Sequence, residues 1–384
     1  MLRKTRFVCV SDTHGYTPME AGFKIPAGDV LIHAGDLTNK GSLTELRRTM
    51  DWISNTDFEI KIIVAGNHDV SLDPEFYAKH GQEFHSSHLE DPVKCLEIVT
   101  NAAPSVIYLR HQAAVINLTH ENGPNTTFKL FGSPYSQFDG NWAFGYDNDK
   151  DTSALWDQIP IDSDIIVTHT PPYSHCDQKP TGRNHGCDAL RQTLSRIRPL
   201  LALCGHVHEG RGYERVCWQS RTLDVADADI DNNDITRGVL PPPGSKKQAL
   251  IDLTGKREKR LDNTGYSALS RPSTLNPETK TSMTPSLSLR SAAKETLNQA
   301  PSLSAASHEH EHEHGYSTRT STSGRADSPA LQMQTLRRET CIVNSAILAT
   351  SWPHQGGKRF NTPIVIDLEL PVRQDDHAST SRFK

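Results

Sequence analysis

Five short apolar runs, at residues 7–10, 30–32, 62–65, 165–167 and 200–203, are bulky or β-branched at most positions and do not alternate with polar residues. Strands buried on both faces read this way, because neither face meets water. Each run stops on residue types that bind metals: Ser11-Asp12-Thr13-His14, Gly35-Asp36, Gly66-Asn67-His68-Asp69, Thr168-His169 and Gly205-His206-Val207-His208. Ligands of open α/β sheets gather beyond the carboxyl ends of strands, so five such ends can bring distant residues into one cleft. Gly35, Gly66 and Gly205 stand just before their ligands, where a chain leaving a strand turns sharply or lets another group approach its backbone.

Between the runs the period becomes helical. Ser42-Leu43-Thr44-Glu45 has capping-box form, and Leu43, Leu46, Met50 and Ile53 follow at helical intervals. Asp91-Pro92 sets an N-cap before a proline at the first helical position. A third helix starts near Asp188, carries Leu190, Leu194 and Ile197 on one face, and stops by Pro199. Residues 107–109, 115–118 and 128–131 read as further strands, expected to be antiparallel and to form part of a second sheet.

Carboxylates and imidazoles together suit manganese, iron or zinc, with magnesium a poorer match because it prefers oxygen alone. Two divalent cations ~3.5–4 Å apart can clamp the attacking and leaving oxygens of a displacement at phosphorus, and an anion has to bridge them. Asp36 is the candidate bridge, because Asp12 stands beside His14 and more naturally serves one ion. One cation then takes Asp12, His14, Asp36 and His208; the other takes Asp36, Asn67, His169 and His206. A hydroxide completing the bridge would be the nucleophile. His68 is left over as a ligand and is assigned to stabilising phosphoryl charge or protonating the leaving oxygen, with Asp69 fixing its tautomer.

The five blocks, all present and in order, resemble the motif series of the calcineurin-like metallophosphoesterases. Gly132-Ser133-Pro134-Tyr135, Thr168-His169-Thr170-Pro171-Pro172, Gly186-Cys187 and Gly205-His206-Val207-His208-Glu209-Gly210 further resemble the metallophosphoesterase-domain-containing proteins, a branch related to class III cyclic-nucleotide phosphodiesterases. The likeness spans about residues 5 to 217 and resumes near 340. It implies an α/β fold, a four-layer αββα sandwich of two mixed sheets flanked by helices, and it agrees with the two ligand sets above. Some members of that branch have lost a histidine of the last motif and are weakened; here His206 and His208 are both intact. Purple acid phosphatases place a tyrosine three residues after the bridging aspartate, and this chain has Asn39 there, which argues against a ferric centre.

His33, His80, His85, His88, His111 and His120 lack such context and read as surface or packing residues. His175, His185 and Arg183 lie in the loop after His169 and are candidates for touching substrate, as are Tyr135 and Trp142 for stacking on a base.

The 384 residues suffice for one large α/β domain with additions. With 41 basic and 46 acidic side chains, a net of −5 offers no general attraction for nucleic acid or an anionic membrane. Seven cysteines without paired spacing suggest free thiols in a reducing compartment, with Cys9 and Cys204 as small core residues. The basic start precedes too short an apolar run for a signal sequence, so the cytoplasm, with the nucleus as an addition, is the expected location.

The core is expected over residues 1–218. Residues 219–338 are rich in serine, threonine, proline, glycine and charge, and are read as a mostly disordered insertion, except that 249–253 reads as a docked strand. The alternating tract from His308 to His314 reads as low complexity, with weak metal binding as its other reading. A strand pair at 339–372 closes the core before a flexible tail at 373–384, so excising 219–338 is expected to leave the fold intact. The expected activity is hydrolysis of a small phosphoester, cyclic nucleotides among the diesters. The alternative is a binding or scaffold protein that kept the fold and lost turnover. Substrate and oligomeric state are open at this point.

Overall fold

The structure is a computed structural model that describes residues 1–137, 140–147, 152–218, 234–255, 259–261, 263, 337–351, 353–354 and 356–373. All of these belong to one compact unit, made of Met1–Arg271 and Pro329–Lys384. A second unit, Pro272–Ser328, lies outside the described residues, and the His308 to His314 tract and the tail from 374 do so with it.

Two large sheets carry the fold. The first runs in the order β13 (Ala249–Asp252), β15 (Ile364–Pro371), β1 (Leu2–Val10), β2 (Val30–Ala34), β3 (Ile60–Val64), β4 (Val106–Tyr108). The second runs β12 (Asp234–Arg237), β11 (Gly212–Cys217), β14 (Glu339–Asn344), β10 (Leu201–Cys204), β9 (Ile165–Thr168), β6 (Thr127–Ser133), β5 (Gln112–Asn117). A short parallel ribbon, β7 (Ser136–Gln137) with β8 (Gly145–Tyr146), stands apart from both. All five runs predicted as buried strands are strands.

Period-two alternation explains why those runs are apolar throughout. In β1, Phe7 and Cys9 point to the core between the sheets, where they meet Ile32, Ile62, Leu130, Val167, Leu203 and Val343. Val8 and Val10 point the other way, into a layer with Leu46, Met50 and Ile53 of α2 (Leu43–Ser54), Tyr77 of α3 (Pro74–Phe84), and Cys95 and Val99 of α4 (Pro92–Thr100). The outer face of the second sheet, with Ile166, Ala202 and Ile342, is covered by Trp156 of α5 (Ser153–Trp156) and by Leu190, Leu194 and Ile197 of α6 (Asp188–Ile197). A single turn, α1 (Pro18–Ala21), completes the helices of the described residues. The layers are therefore helix, sheet, sheet, helix, both sheets mixed, as expected.

The predicted caps are in place. In α2 the Glu45 amide donates to Ser42 Oγ at 3.2 Å and the Ser42 amide to Glu45 Oε2 at 3.1 Å, an exchange worth about 1 kcal/mol of helix stability. Asp91 caps α4, whereas α6 is capped by the Cys187 thiol rather than by a residue at 188. Helix α3 was not foreseen, although Asp73-Pro74 carries the same N-cap and proline signal as Asp91-Pro92.

Two expectations need correction. The strand at 107–109 is β4, which lies parallel to β3 at the edge of the first sheet, not antiparallel in the second. The β3 to β4 connection through α3 and α4 is long enough for a crossover, which a parallel pair requires. Strands β5 and β6 are antiparallel to each other and lie in the second sheet as predicted.

Packed structure also reaches further into both ends of the stretch read as an insertion than expected. Residues 249–252 dock as β13, as foreseen, but β12 adds a further edge strand, and Leu253 and Leu261 are buried in the inter-sheet core. Asn263 Oδ1 accepts the Arg338 and Glu339 amides at 2.7 and 3.0 Å, which ties the two ends of the stretch together. Excising 219–338 would remove all of this, so the expectation of an intact fold does not hold for that cut.

Candidate metal centre

Strand ends from both sheets meet over one spot. The loops after β1, β2 and β3 bring Asp12, His14, Asp36, Asn67 and His68; those after β9 and β10 bring His169, His206 and His208. Sharp turns place them: Asp12, His14, Asp36 and His206 hold φ of 53°, 45°, 55° and 67°, the left-handed region that costs a residue with a Cβ. Four such residues in one cluster point to a functional constraint rather than to chance. The preceding glycines are needed for closeness. A Cβ on Gly66 would overlap the Asp36 carboxylate, and one on Gly35, itself at φ 99°, would overlap the His169 ring.

Two donor sets share Asp36. On one side, His14 Nε2 lies 3.2 Å from His208 Nε2, His208 Nε2 lies 3.4 Å from Asp12 Oδ1, and His14 Nε2 lies 3.7 Å from Asp36 Oδ2. On the other, Asn67 Oδ1 lies 2.9 Å from both His169 Nε2 and His206 Nδ1, and His169 Nε2 lies 3.3 Å from Asp36 Oδ1. The two oxygens of Asp36 thus face different imidazoles, Oδ2 toward His14 and Oδ1 toward His169. All seven predicted ligands are brought together.

Backbone groups aim these side chains. The His68 amide donates to Asp36 Oδ1 at 2.9 Å, and the His206 amide to the Asp12 carboxylate at 3.0 Å. His169 Nδ1 donates to the Ala34 carbonyl at 3.1 Å and His208 Nδ1 to the Thr350 carbonyl at 3.1 Å, which turns each Nε2 toward the cluster. Such outer hydrogen bonds are how metal-binding imidazoles are usually fixed in tautomer and direction.

Asp12, Asp36 and His169 are essentially buried. Burial opposes ionisation of Asp36, but the charges of His169 and His68 outweigh it and hold the carboxyl well below its ordinary range. Burial likewise opposes a charge on His169, and Asp36 outweighs it, raising the imidazole to about 9. His14 and His206 are depressed to about 3, by burial first and then by the neighbouring imidazoles His68 and His169 respectively. Two carboxylates and several imidazoles packed out of water are costly unless charge of the opposite sign joins them. A mixed oxygen and nitrogen donor cluster around Asp12, His14, Asp36, His169 and His208 fits divalent metal binding.

His68 occupies a different position. Its Nδ1 donates to the Asn39 carbonyl at 2.8 Å, leaving Nε2 for the cleft. It comes close enough to His14 and Asp36 to ligate as well. Asp69 does not fix its tautomer, contrary to expectation. That carboxylate accepts the Leu37, Thr38 and Gly66 amides and the Thr38 hydroxyl, and so splints the Asp36 loop to the Asn67 loop.

Other candidates fall away from the cluster. His175 is buried with Nδ1 2.8 Å from Glu214, a pairing inside the second sheet's edge. In the same loop the His185 amide donates to the Asp177 carbonyl at 3.2 Å and the Arg183 carbonyl accepts the Lys179 amide at 3.1 Å. Tyr135 packs edge-on to His111 and Phe144, and His111 hydrogen-bonds Ser133 and Leu155, so both are packing residues. None of the seven cysteines forms a disulfide.

One residue went unrecognised. Asn344, at the carboxyl end of β14, donates through Nδ2 to the carbonyls of Gly205 at 3.3 Å and Val207 at 2.8 Å, the two residues flanking His206. Its signal was available, because Ile342-Val343-Asn344 is one more apolar run ending on a polar side chain. Asn344→Asp keeps the shape and removes both donated bonds. Cation affinity, measured by titrating metal-stripped protein, should fall about 10- to 100-fold, the usual cost of an outer-shell partner.

Residues 5–210 match the calcineurin-like phosphoesterase family. The chain belongs to that family. A probable rhamnogalacturonate lyase C of Emericella nidulans is 40% identical over 215 residues, which are 56% of this chain and 18% of that protein. Human metallophosphoesterase domain-containing protein 1 is 34% identical, over 54% of this chain and 62% of its own length. A UPF0046 protein of Caenorhabditis elegans is 30% identical, over 64% of this chain and 84% of its own. The chain therefore spans less than two thirds of the first two of these relatives. No helix of the described residues is long and apolar enough to cross a membrane.

Proposed function

We propose that this protein is a metal-dependent phosphoesterase acting on a small phosphoester, with phosphodiesters, cyclic nucleotides among them, as the substrate class. The observation that carries the reading is Asp36, whose two oxygens face different imidazoles, His14 and His169. Asp12, His14 and His208 with Asp36 would hold one divalent cation, and Asn67, His169 and His206 with Asp36 the other. Manganese, iron or zinc suits these donors. When bound, such a pair polarises the phosphoryl oxygens and lowers the pKa of water enough for attack at neutral pH.

The chain's own residues do the rest. A shallow depression beside the cluster is lined, among the described residues, by Asn67, Ser136, Gln137, Trp142, Ala143, Gly145 and His206. His68, held through Nδ1, presents Nε2 to the leaving side. There it gives a proton to the leaving oxygen as the P–O bond breaks and the electron pair passes to that oxygen. Seven cysteines outside any disulfide support a reducing compartment such as the cytoplasm.

His68→Ala should keep both cations and lower kcat by about 10²-fold or more on esters of poor leaving groups, the ordinary share of a general acid. Metal analysis alongside hydrolysis of aryl phosphate mono- and diesters checks this. Parental rates on every ester would remove His68 from the mechanism.

A further inference from the structure

His68 is not held by its hydrogen bond alone. Trp142 lies over its ring, with centroids 4.0 Å apart and planes 34° from parallel, while His14 meets it edge-on at 4.6 Å and 90°. The imidazole is therefore caught between an indole and a ligand-bearing ring. A single hydrogen bond at Nδ1 leaves a ring free to swing about that bond, and two aromatic walls remove the freedom.

The indole is itself anchored on either side in sequence. The Ala143 amide donates to the Asn67 carbonyl at 3.2 Å, and the Phe144 amide to Asp73 Oδ2 at 3.0 Å. Asn141 Nδ2 donates to Glu83 Oε2 of α3 at 2.7 Å, and Phe84 backs the indole at 5.2 Å between centroids. The segment bearing Trp142 is thus bolted to the same loop that bears Asn67 and His68. Trp142 also lines the cleft, where the expected role was stacking on a base. One of its faces is already committed to His68.

We propose that Trp142 is the positioning residue for His68, a wall that holds Nε2 toward the leaving oxygen so that protonation of poor leaving groups depends on it. The inference rests on the proposed acid role of His68 and adds the residue that makes that role geometrically reliable. Because p-nitrophenolate leaves without help and phenolate does not, the leaving group separates a lost acid from a damaged site.

The test compares phenyl with p-nitrophenyl phosphoesters, mono- or diester, in the full-length metal-loaded protein and its Trp142→Ala, Trp142→Phe, His68→Ala and double His68→Ala/Trp142→Ala variants. Trp142→Ala should lower kcat for the phenyl ester about 10- to 100-fold, as misplacement of a catalytic group does, and lower kcat for the p-nitrophenyl ester by a clearly smaller factor. Trp142→Phe should restore most of the loss. The double variant should be no slower than His68→Ala, since a wall has nothing to hold once the ring is gone. In metal-free protein the His68 ring protons should move downfield by NMR in Trp142→Ala, as the indole ring current is removed. Equal losses on both esters, or losses that add to those of His68→Ala, would overturn the proposal while leaving His68 as the acid. Parental activity of His68→Ala would instead remove the acid role and this proposal with it.

Discussion

Asp36→Asn is expected to abolish turnover. The amide keeps the size of the side chain but not its charge, and one of the two faces then presents an NH₂ group to imidazole nitrogens. Between His14 at 3.7 Å and His169 at 3.3 Å, the anion that lets two like charges sit close together is lost. The loss in kcat/KM should exceed about 10²–10³-fold, the cost of removing one preorganised electrostatic group, because a whole cation site goes with it. Metal analysis after dialysis should show fewer than two equivalents retained. The fold should survive, since His169 and Asp36 hold each other only in part and the inter-sheet core is untouched; circular dichroism checks that arm. Full activity in Asp36→Asn would mean that the carboxylate bridges nothing.

The second large effect concerns where the chain can be cut. Joining Asn263 to Arg337 through a short glycine-serine link should leave the unfolding temperature and the activity unchanged, since the Asn263 side chain already reaches the Arg338 and Glu339 amides. Closing a shorter loop changes stability by only ~0.6 kcal/mol per halving. The wider cut, 219–338, should give insoluble or unfolded protein. It removes Ile251, Leu253 and Leu261, all buried, at about 1.5–3 kcal/mol each. It also strips β13 from β15 and β12 from β11, and it deletes Arg337, whose guanidinium donates to the buried Asp164 carboxylate. Those losses together rival the ~5–15 kcal/mol that separates folded from unfolded domains. A soluble, active protein lacking 219–338 would show that these docked segments are dispensable. Thermal unfolding followed by intrinsic fluorescence distinguishes the outcomes.

What could be read from the residues follows a physical pattern. Strands buried on both faces announce themselves by continuous apolarity, and all five ligand-bearing ends were legible because each broke that continuity with a polar group. Capped helices such as α2 and α4 were legible through their first four residues. Parallel or antiparallel direction was not, because strand pairing is decided by the connection and the neighbouring sheet, so β4 was misplaced. Roles that depend on a backbone carbonyl stayed hidden as well. Asn39 and Thr350 serve through main-chain oxygens that any residue would offer, and nothing in their identity points to His68 or His208. Trp142 stacks on a ring 74 positions away in sequence, a pairing that only the tertiary fold creates. The edge strand β12 was missed because Asp234 to Arg237 is exposed throughout and carries a single apolar residue, Ile235, too little for an apolar signal.

Anomalous diffraction from crystals of the manganese-loaded protein tests the convergence of these strand ends most directly. Two peaks about 3.5–4 Å apart are predicted, one within reach of Asp12, His14 and His208, the other of Asn67, His169 and His206, with Asp36 touching both. A single peak, or two peaks without a shared Asp36, would contradict it.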